Sequence, residues 1–154
     1  MSETVNLIDA TGEIVDVPLS IFDIAETDTE AEESGKWFND IFENGTNVNV
    51  KLRRFTSKTS IKVRQKLEAP YRRKLKSGKL PDEVNAQLMI DQLAEGVIVD
   101  WAGVRDRDGK DIPYTVDTAK AILGKLPDLV RILGAITIQM DNFRMSKRED
   151  IAGN

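Results

Sequence analysis

Between Val97 and Thr115 the chain runs from an apolar stretch, VIVDWAGV, through the polar RDRDGKD to Ile112-Pro113-Tyr114 and a threonine. Few local structures accept that order. Val97-Ile98-Val99 and Trp101 have the β-branched and aromatic character of a strand. Asp108-Gly109 is a turn dipeptide, because glycine accepts the positive φ that a tight reversal demands. Thr115 stands where a helix N-cap belongs, ahead of Ala119, Ile122 and Leu123 at helical spacing. The stretch therefore predicts a hairpin feeding a capped helix, with Trp101 anchoring the core.

The remainder of the chain supplies more of both element types. Val5 to Ile8 and Glu13 to Val17 flank Asp9-Ala10-Thr11-Gly12 as a second hairpin, which Pro18 ends. Leu19 to Ala25 reads as more strand or a short apolar connector. Residues 26–35, acidic and almost without apolar side chains, predict a flexible loop. Trp37, Phe38, Ile41 and Phe42 follow at helical spacing, and Val48, Val50 and Leu52 alternate as a strand with one buried face. Ser57 or Thr59 caps the next helix, Pro70 splits it, and Ser77-Gly78 stops it. Pro81 and Pro127 suit the first turns of two further helices, the second carrying Leu129, Leu133, Ile136, Met140 and Phe143 on one face. The expected architecture is a single α+β domain over residues 1–154. Small antiparallel hairpins or a short sheet pack with four to five helices, and the C-terminal half is mainly helical. Residues 147–154 are polar and expected to fray.

Charge is distributed unevenly enough to constrain function. Residues 1–50 hold twelve acidic side chains against one basic, whereas residues 51–79 hold twelve basic against Glu68 alone. The overall charge of −4 hides this segregation, and an anionic surface would be met by the middle third. No apolar run approaches the roughly 20 residues of a membrane span. The start, MSETVNLIDATG, has neither the basic nor the apolar region of a signal peptide, so a cytoplasmic location is expected. Histidine and cysteine are absent, which removes thiolate nucleophiles, Cys/His zinc sites and the side chain best suited to proton transfer near neutral pH. No enzyme activity, catalytic residue, cofactor or metal is expected.

Several tempting motifs fail on spacing. Aligning Gly109 with the sixth position of a calcium loop puts Val104 at the first and Thr115 at the twelfth, neither of them a ligand the loop requires. No glycine-rich phosphate loop and no nucleophile elbow is present. The basic segment, with Arg72, Arg73 and Lys74 at its centre, is suited to docking on the acidic N-terminal third of the same or a neighbouring chain, or on acidic stretches of a client. Nucleic acid is not expected there, because base-stacking aromatics are sparse and no recognition motif accompanies the charge. The last helix carries apolar residues at more than one angle, Ile132 among them. Such a face is chiefly core, and its excess marks a surface that a partner can share.

The order Trp101, Gly103, Val104, Asp106, Asp108, Gly109, Ile112, Pro113, Tyr114, Thr115, continued by Ala119 and Leu123, resembles a segment of the tail assembly chaperones of long-tailed bacteriophages. Leu126-Pro127-Asp128-Leu129 is similar to the motif that opens their terminal helix, and the likeness extends more weakly upstream, to about residue 47. The resemblance implies a non-enzymatic protein of the host cell cytoplasm. Such a protein binds the tape-measure protein, keeps it soluble and helps tail-tube subunits assemble, with homo-oligomers and a frameshifted longer form as options within the family. Partner contacts would fall on Leu129, Ile132, Leu133, Ile136, Met140 and Phe143, or on Arg72, Arg73 and Lys74. Two other readings stand beside it: a structural tail or connector subunit of the virion, and a nucleic-acid-binding accessory protein using residues 51–79.

Overall fold

A computed structural model describes residues 4–145 and has the expected α+β architecture, with two antiparallel sheets and helices gathered towards the C-terminal half. The described chain divides into two compact units, residues 29–139 and the flanking segments 4–28 and 140–145.

In the flanking unit, strands β1 (Thr4–Ile8) and β2 (Ile14–Pro18) form the expected hairpin, with Leu7 opposite Val15 and Ile8 opposite Ile14. The Asp9 carboxylate accepts the Thr11 and Glu13 amides, which closes the turn at Gly12. Pro18 is the last residue of β2, where its missing N–H costs nothing to the ladder. Residues 19–25 are neither strand nor connector. Helix α1 (Ile21–Ala25) starts at a reciprocal cap in which Ser20 and Asp23 each accept the other's backbone N–H. A 3₁₀ turn at Met140–Phe143 completes this unit, bonded through the Asp28 amide to the Phe143 carbonyl at 2.7 Å.

The central unit is built on a three-stranded sheet in the order β3 (Lys36–Phe38), β4 (Asn49–Leu52), β5 (Ile98–Ala102). β4 is the expected alternating strand, with Val50 and Leu52 buried. Trp37 and Phe38 are strand residues, paired with Lys51 and Val50, rather than a helix face. β5 pairs with β4, Trp101 opposite Val50. The expected cassette hairpin is thus reduced to a tight turn with one bridge, Arg105 to Asp111.

The helices close around this sheet. α3 (Lys58–Glu68) is capped by Ser57, a 3₁₀ turn at Ala69–Tyr71 carries Pro70, and α4 (Arg72–Ser77) ends at Gly78. Helix α5 (Asp82–Gln92) widens into a π turn, Leu93–Val97, which buries Leu93, Ala94, Gly96 and Val97. Gly96 lets α3 come close, since a Cβ there would lie 3.0 Å from the Val63 Cβ. α6 (Val116–Lys125) and α7 (Pro127–Ile138) complete the core, which joins Val50, Leu52, Leu93, Val97, Ile98, Trp101, Ala119, Leu123 and Leu133. α7 stops at Ile138, so Met140 and Phe143 are not on its face. Its end is fastened where the Thr137 hydroxyl donates to the Arg53 carbonyl at 2.6 Å.

Residues 26–35 depart most from expectation. They hold helix α2 (Thr29–Ser34), with Glu32 buried, instead of a flexible loop. The basic segment orders it: Arg54 forms an ion pair with Glu32 at 3.0 Å, and Arg53 Nε donates to the Glu33 carbonyl at 2.8 Å. The Glu33 carboxylate in turn accepts the Lys58 and Thr59 amides at the start of α3, supplementing Ser57. Part of the charge segregation is therefore consumed within one chain. Residues 147–154, expected to fray, lie outside the described residues.

Candidate functional site

The cassette is fixed from both ends. Trp101 is buried on β5, and its indole N–H donates to the Ile112 carbonyl at 2.7 Å across the turn. Tyr114 meets the Trp101 ring edge-on, with centroids 5.1 Å apart and planes at 86°. The Tyr114 hydroxyl donates to the carbonyls of Ala94 and Ile98, and burial pushes its pKa up to about 12. A phenol held that firmly protonated ties β5 to the π turn and is no acid or base near neutral pH. Pro113 leads into the helix cap, where Thr115 Oγ1 accepts the Thr118 amide and Thr118 Oγ1 accepts the Thr115 amide, both at 3.0 Å.

The aspartates of the turn have a backbone role. Asp106 Oδ1 accepts the Asp108 amide at 2.9 Å and the Lys110 amide at 3.0 Å, and Gly109 follows at φ 80°. Asp106, rather than Asp108, organises the reversal. Among the described residues no three carboxylates are gathered as an ion would require.

What the cassette builds is a groove. Gly103, Val104, Arg105 and Ile112 of the cassette line it together with Phe42, Asn44, Thr46 and Val48 of the 39–48 connection. Ile122, Leu126 and Leu129 of α6, α7 and the bend between them form the floor of a cleft of about 540 Å³. Phe42 and Leu126 are exposed, at 39% and 48%. The 39–48 connection is held in shape by Asp40, whose carboxylate accepts the Gly45 and Asn47 amides. It contains three non-glycine residues at positive φ, Asp40, Glu43 and Asn47. Strained backbone of this kind persists only where its surroundings determine it, and it concentrates at binding sites. The cassette and this connection meet so closely that a Cβ on Gly103 would lie 2.3 Å from the Asn47 carbonyl oxygen.

The structure sorts the expected contact residues. Leu129 lines the groove, and Ile132 is half-buried on α7. Leu133 is buried in the core, and Ile136 is half-buried and packs against it. Phe143 is also buried, and it lies with the half-buried Met140 in the flanking unit. Arg72, Arg73 and Lys74 are exposed on α4, and among the described residues no carboxylate lies within ion-pairing distance of them. Sequence reasoning assigned no surface to Phe42, Ile122 or Leu126. Only Leu126 carried a signal, as an apolar residue before the Pro127-Asp128 helix start. No described helix is long and apolar enough to cross a membrane.

No curated protein and no solved structure matches the chain. A family model described as YdaY prophage protein matches residues 55–154, a span that includes the basic helices, the whole cassette and α7.

Proposed function

The chain belongs to the YdaY prophage protein family and is phage-derived; from that premise we propose that it is a tail assembly chaperone, acting without catalysis in the host cytoplasm to hold the tape-measure protein. The observation that supports this reading best is the groove of Phe42, Val104, Ile112, Ile122, Leu126 and Leu129. It is mainly apolar, with Asn44, Thr46 and Arg105 also in its lining, open at the surface and shaped by the Asp40-braced connection. An amphipathic client helix presents a stripe of side chains at i, i+3, i+4 and i+7, and such a cleft takes that stripe out of water. The polar rim, including the exposed Arg105–Asp111 pair at 3.1 Å, suits reversible capture. A client with repeated apolar helix would be held at many points, so that weak single contacts gain by multiplicity.

The experiment is co-expression with the tape-measure product of the same phage. The expected result is a several-fold rise in the soluble tape-measure fraction, and no change would refute the reading. Mass spectrometry of purified virions separates the chaperone from a structural tail or connector subunit, which alone would be retained in stoichiometric amount.

A further inference from the structure

The 39–48 connection also carries a reactive pair. Of the asparagines in the sequence, Asn44 alone is followed by glycine. With no side chain on the following residue, the backbone nitrogen there is open to the asparagine amide carbon. Asn44, Gly45 and Thr46 are all exposed, and nothing lies within 4 Å of a Cβ placed on Gly45, so a ring can close here without displacing neighbours. Asn44 and Thr46 belong to the lining of the groove.

Hydrogen bonds reach each of the reacting atoms. The Gly45 N–H donates to Asp40 Oδ2 at 3.0 Å. Asp40 is itself anchored, its Oδ1 accepting the Asn47 amide at 3.2 Å and its own amide donating to Asn49 Oδ1 at 2.7 Å. Asn44 Oδ1 accepts the Thr46 amide at 3.1 Å and the Thr46 hydroxyl at 2.6 Å. A base therefore sits on the proton of the nucleophile. Donors sit on the oxygen that gains negative charge when the amide carbon is attacked.

We propose that Asn44 is a self-modification site, deamidated by the folded chain itself. The Gly45 nitrogen attacks the Asn44 amide carbon while Asp40 takes its proton and Thr46 holds the oxygen. The new C–N bond closes a succinimide. The proton passes to the departing side-chain nitrogen, whose bond to the carbon breaks, and ammonia leaves. Water then adds to either ring carbonyl: breaking the new C–N bond gives aspartate, and breaking the original peptide bond gives isoaspartate. Water is consumed and ammonia released, with no oxidant or reductant. Either product places a carboxylate in the lining that holds Arg105, and isoaspartate lengthens the main chain of the connection by one carbon. The groove is thus altered with time and without a partner enzyme. The step does not rest on the chaperone reading, because it concerns the purified chain alone.

The test is incubation of the purified full chain at neutral pH and physiological temperature. Mass spectrometry follows the peptide containing Asn44, and chromatography separates its aspartyl and isoaspartyl forms. The same chain unfolded in guanidinium chloride is the reference, since it keeps the dipeptide and loses the positioned Asp40 and Thr46. The folded chain is expected to deamidate at Asn44 at least about tenfold faster, a modest share of what a positioned base contributes. D40N, which takes away the base, and T46V, which takes away the hydroxyl, should each slow the folded chain several-fold. Thr46 is exposed and outside the Asp40 brace, so T46V reads the chemistry at the wild-type melting temperature even where D40N loosens the connection. N44Q, whose ring would be larger, should not convert on this timescale. A folded chain no faster than the unfolded one overturns the proposal, because the turn then shields the dipeptide. So does a T46V variant that deamidates as fast as wild type or faster, which would leave these bonds the sole task of shaping the turn.

Discussion

Gly103 and Gly109 sit six residues apart in the cassette, at φ 77° and 80°, and replacing each by alanine separates two costs that usually arrive together. At Gly109 nothing lies within 4 Å of the added Cβ, so G109A bears only the left-handed backbone, about 1–2 kcal/mol. At Gly103 the same Cβ would lie 2.3 Å from the Asn47 oxygen, and that backbone must retreat by about 0.7 Å to reach even 3.0 Å. Forcing atoms into a packed contact adds about 1–3 kcal/mol, so G103A should cost about 2–5 kcal/mol in total. Urea titration with linear extrapolation measures both, and an unchanged m-value would show that the unfolded reference has not moved. The gap should also appear in melting, at about 2–4 °C per kcal/mol for a chain of this size. Gly103 and Val48 are both groove residues, so G103A should impair client binding as well, whereas G109A should leave it intact. Equal destabilisation by the two variants would refute the close approach that defines the groove wall.

Other expectations follow from the caps and the titrating groups. Thr115→Ala removes one half of a reciprocal cap and should cost about 1 kcal/mol, read by thermal melting. Arg54→Ala removes the ion pair to the buried Glu32 and should destabilise by about 1–3 kcal/mol, with α2 losing amide-exchange protection first. Burial raises the pKa of Glu33, but the Lys58 and Thr59 amides outweigh it and hold the carboxyl below its ordinary value. Its stabilising contribution is therefore present above the unfolded value and lost as pH falls through the lowered one; E33Q should flatten the acid limb of stability against pH. Tyr114, pushed up by burial to about 12, behaves in the opposite sense: its contribution is complete below pH 10 and lost between 10 and about 12. Tyr114→Phe should remove that alkaline loss while lowering stability at neutral pH through the vacated carbonyls of Ala94 and Ile98.

Elements defined by local chemistry are legible in this sequence. Ser57, Thr115 and Pro127 begin helices where their side chains or missing N–H dictate, and alternation at Val48–Leu52 marks β4, because these signals are contained in a few residues. The acidic stretch 26–35 is different. It holds too little apolar surface to fold by itself and becomes helix because Arg53, Arg54 and the start of α3 satisfy Glu32 and Glu33 from 20 to 26 positions away. Trp37, Phe38, Ile41 and Phe42 fit a helical period over a window too short to distinguish it, and pairing with β4 decides for a strand and a turn. Ser20 and Asp23 spell a helix start, but with Asp in the place where Glu or Gln is the usual signal. The groove is the least legible feature. Leu129 belongs to a visible helix face, but Phe42 lines the same cleft as Val104 and Leu126 because Gly103 permits two backbone segments to touch.

The central claim is that a client of the tail assembly pathway is held in the cassette groove, and Leu126→Asp probes it with little risk to the fold. Leu126 is half-exposed at the junction of α6 and α7, and the N-cap preference of aspartate for α7 offsets its unfavourable place at the C-cap of α6. The measurement is capture of co-expressed tape-measure protein by the tagged full-length chain, comparing wild type, L126D and R72E/R73E/K74E. Wild type and the α4 triple variant should retain the tape-measure protein, and L126D should lose at least about tenfold of it, while melting at the wild-type temperature. Undiminished capture by L126D, or no capture by wild type, would contradict the account.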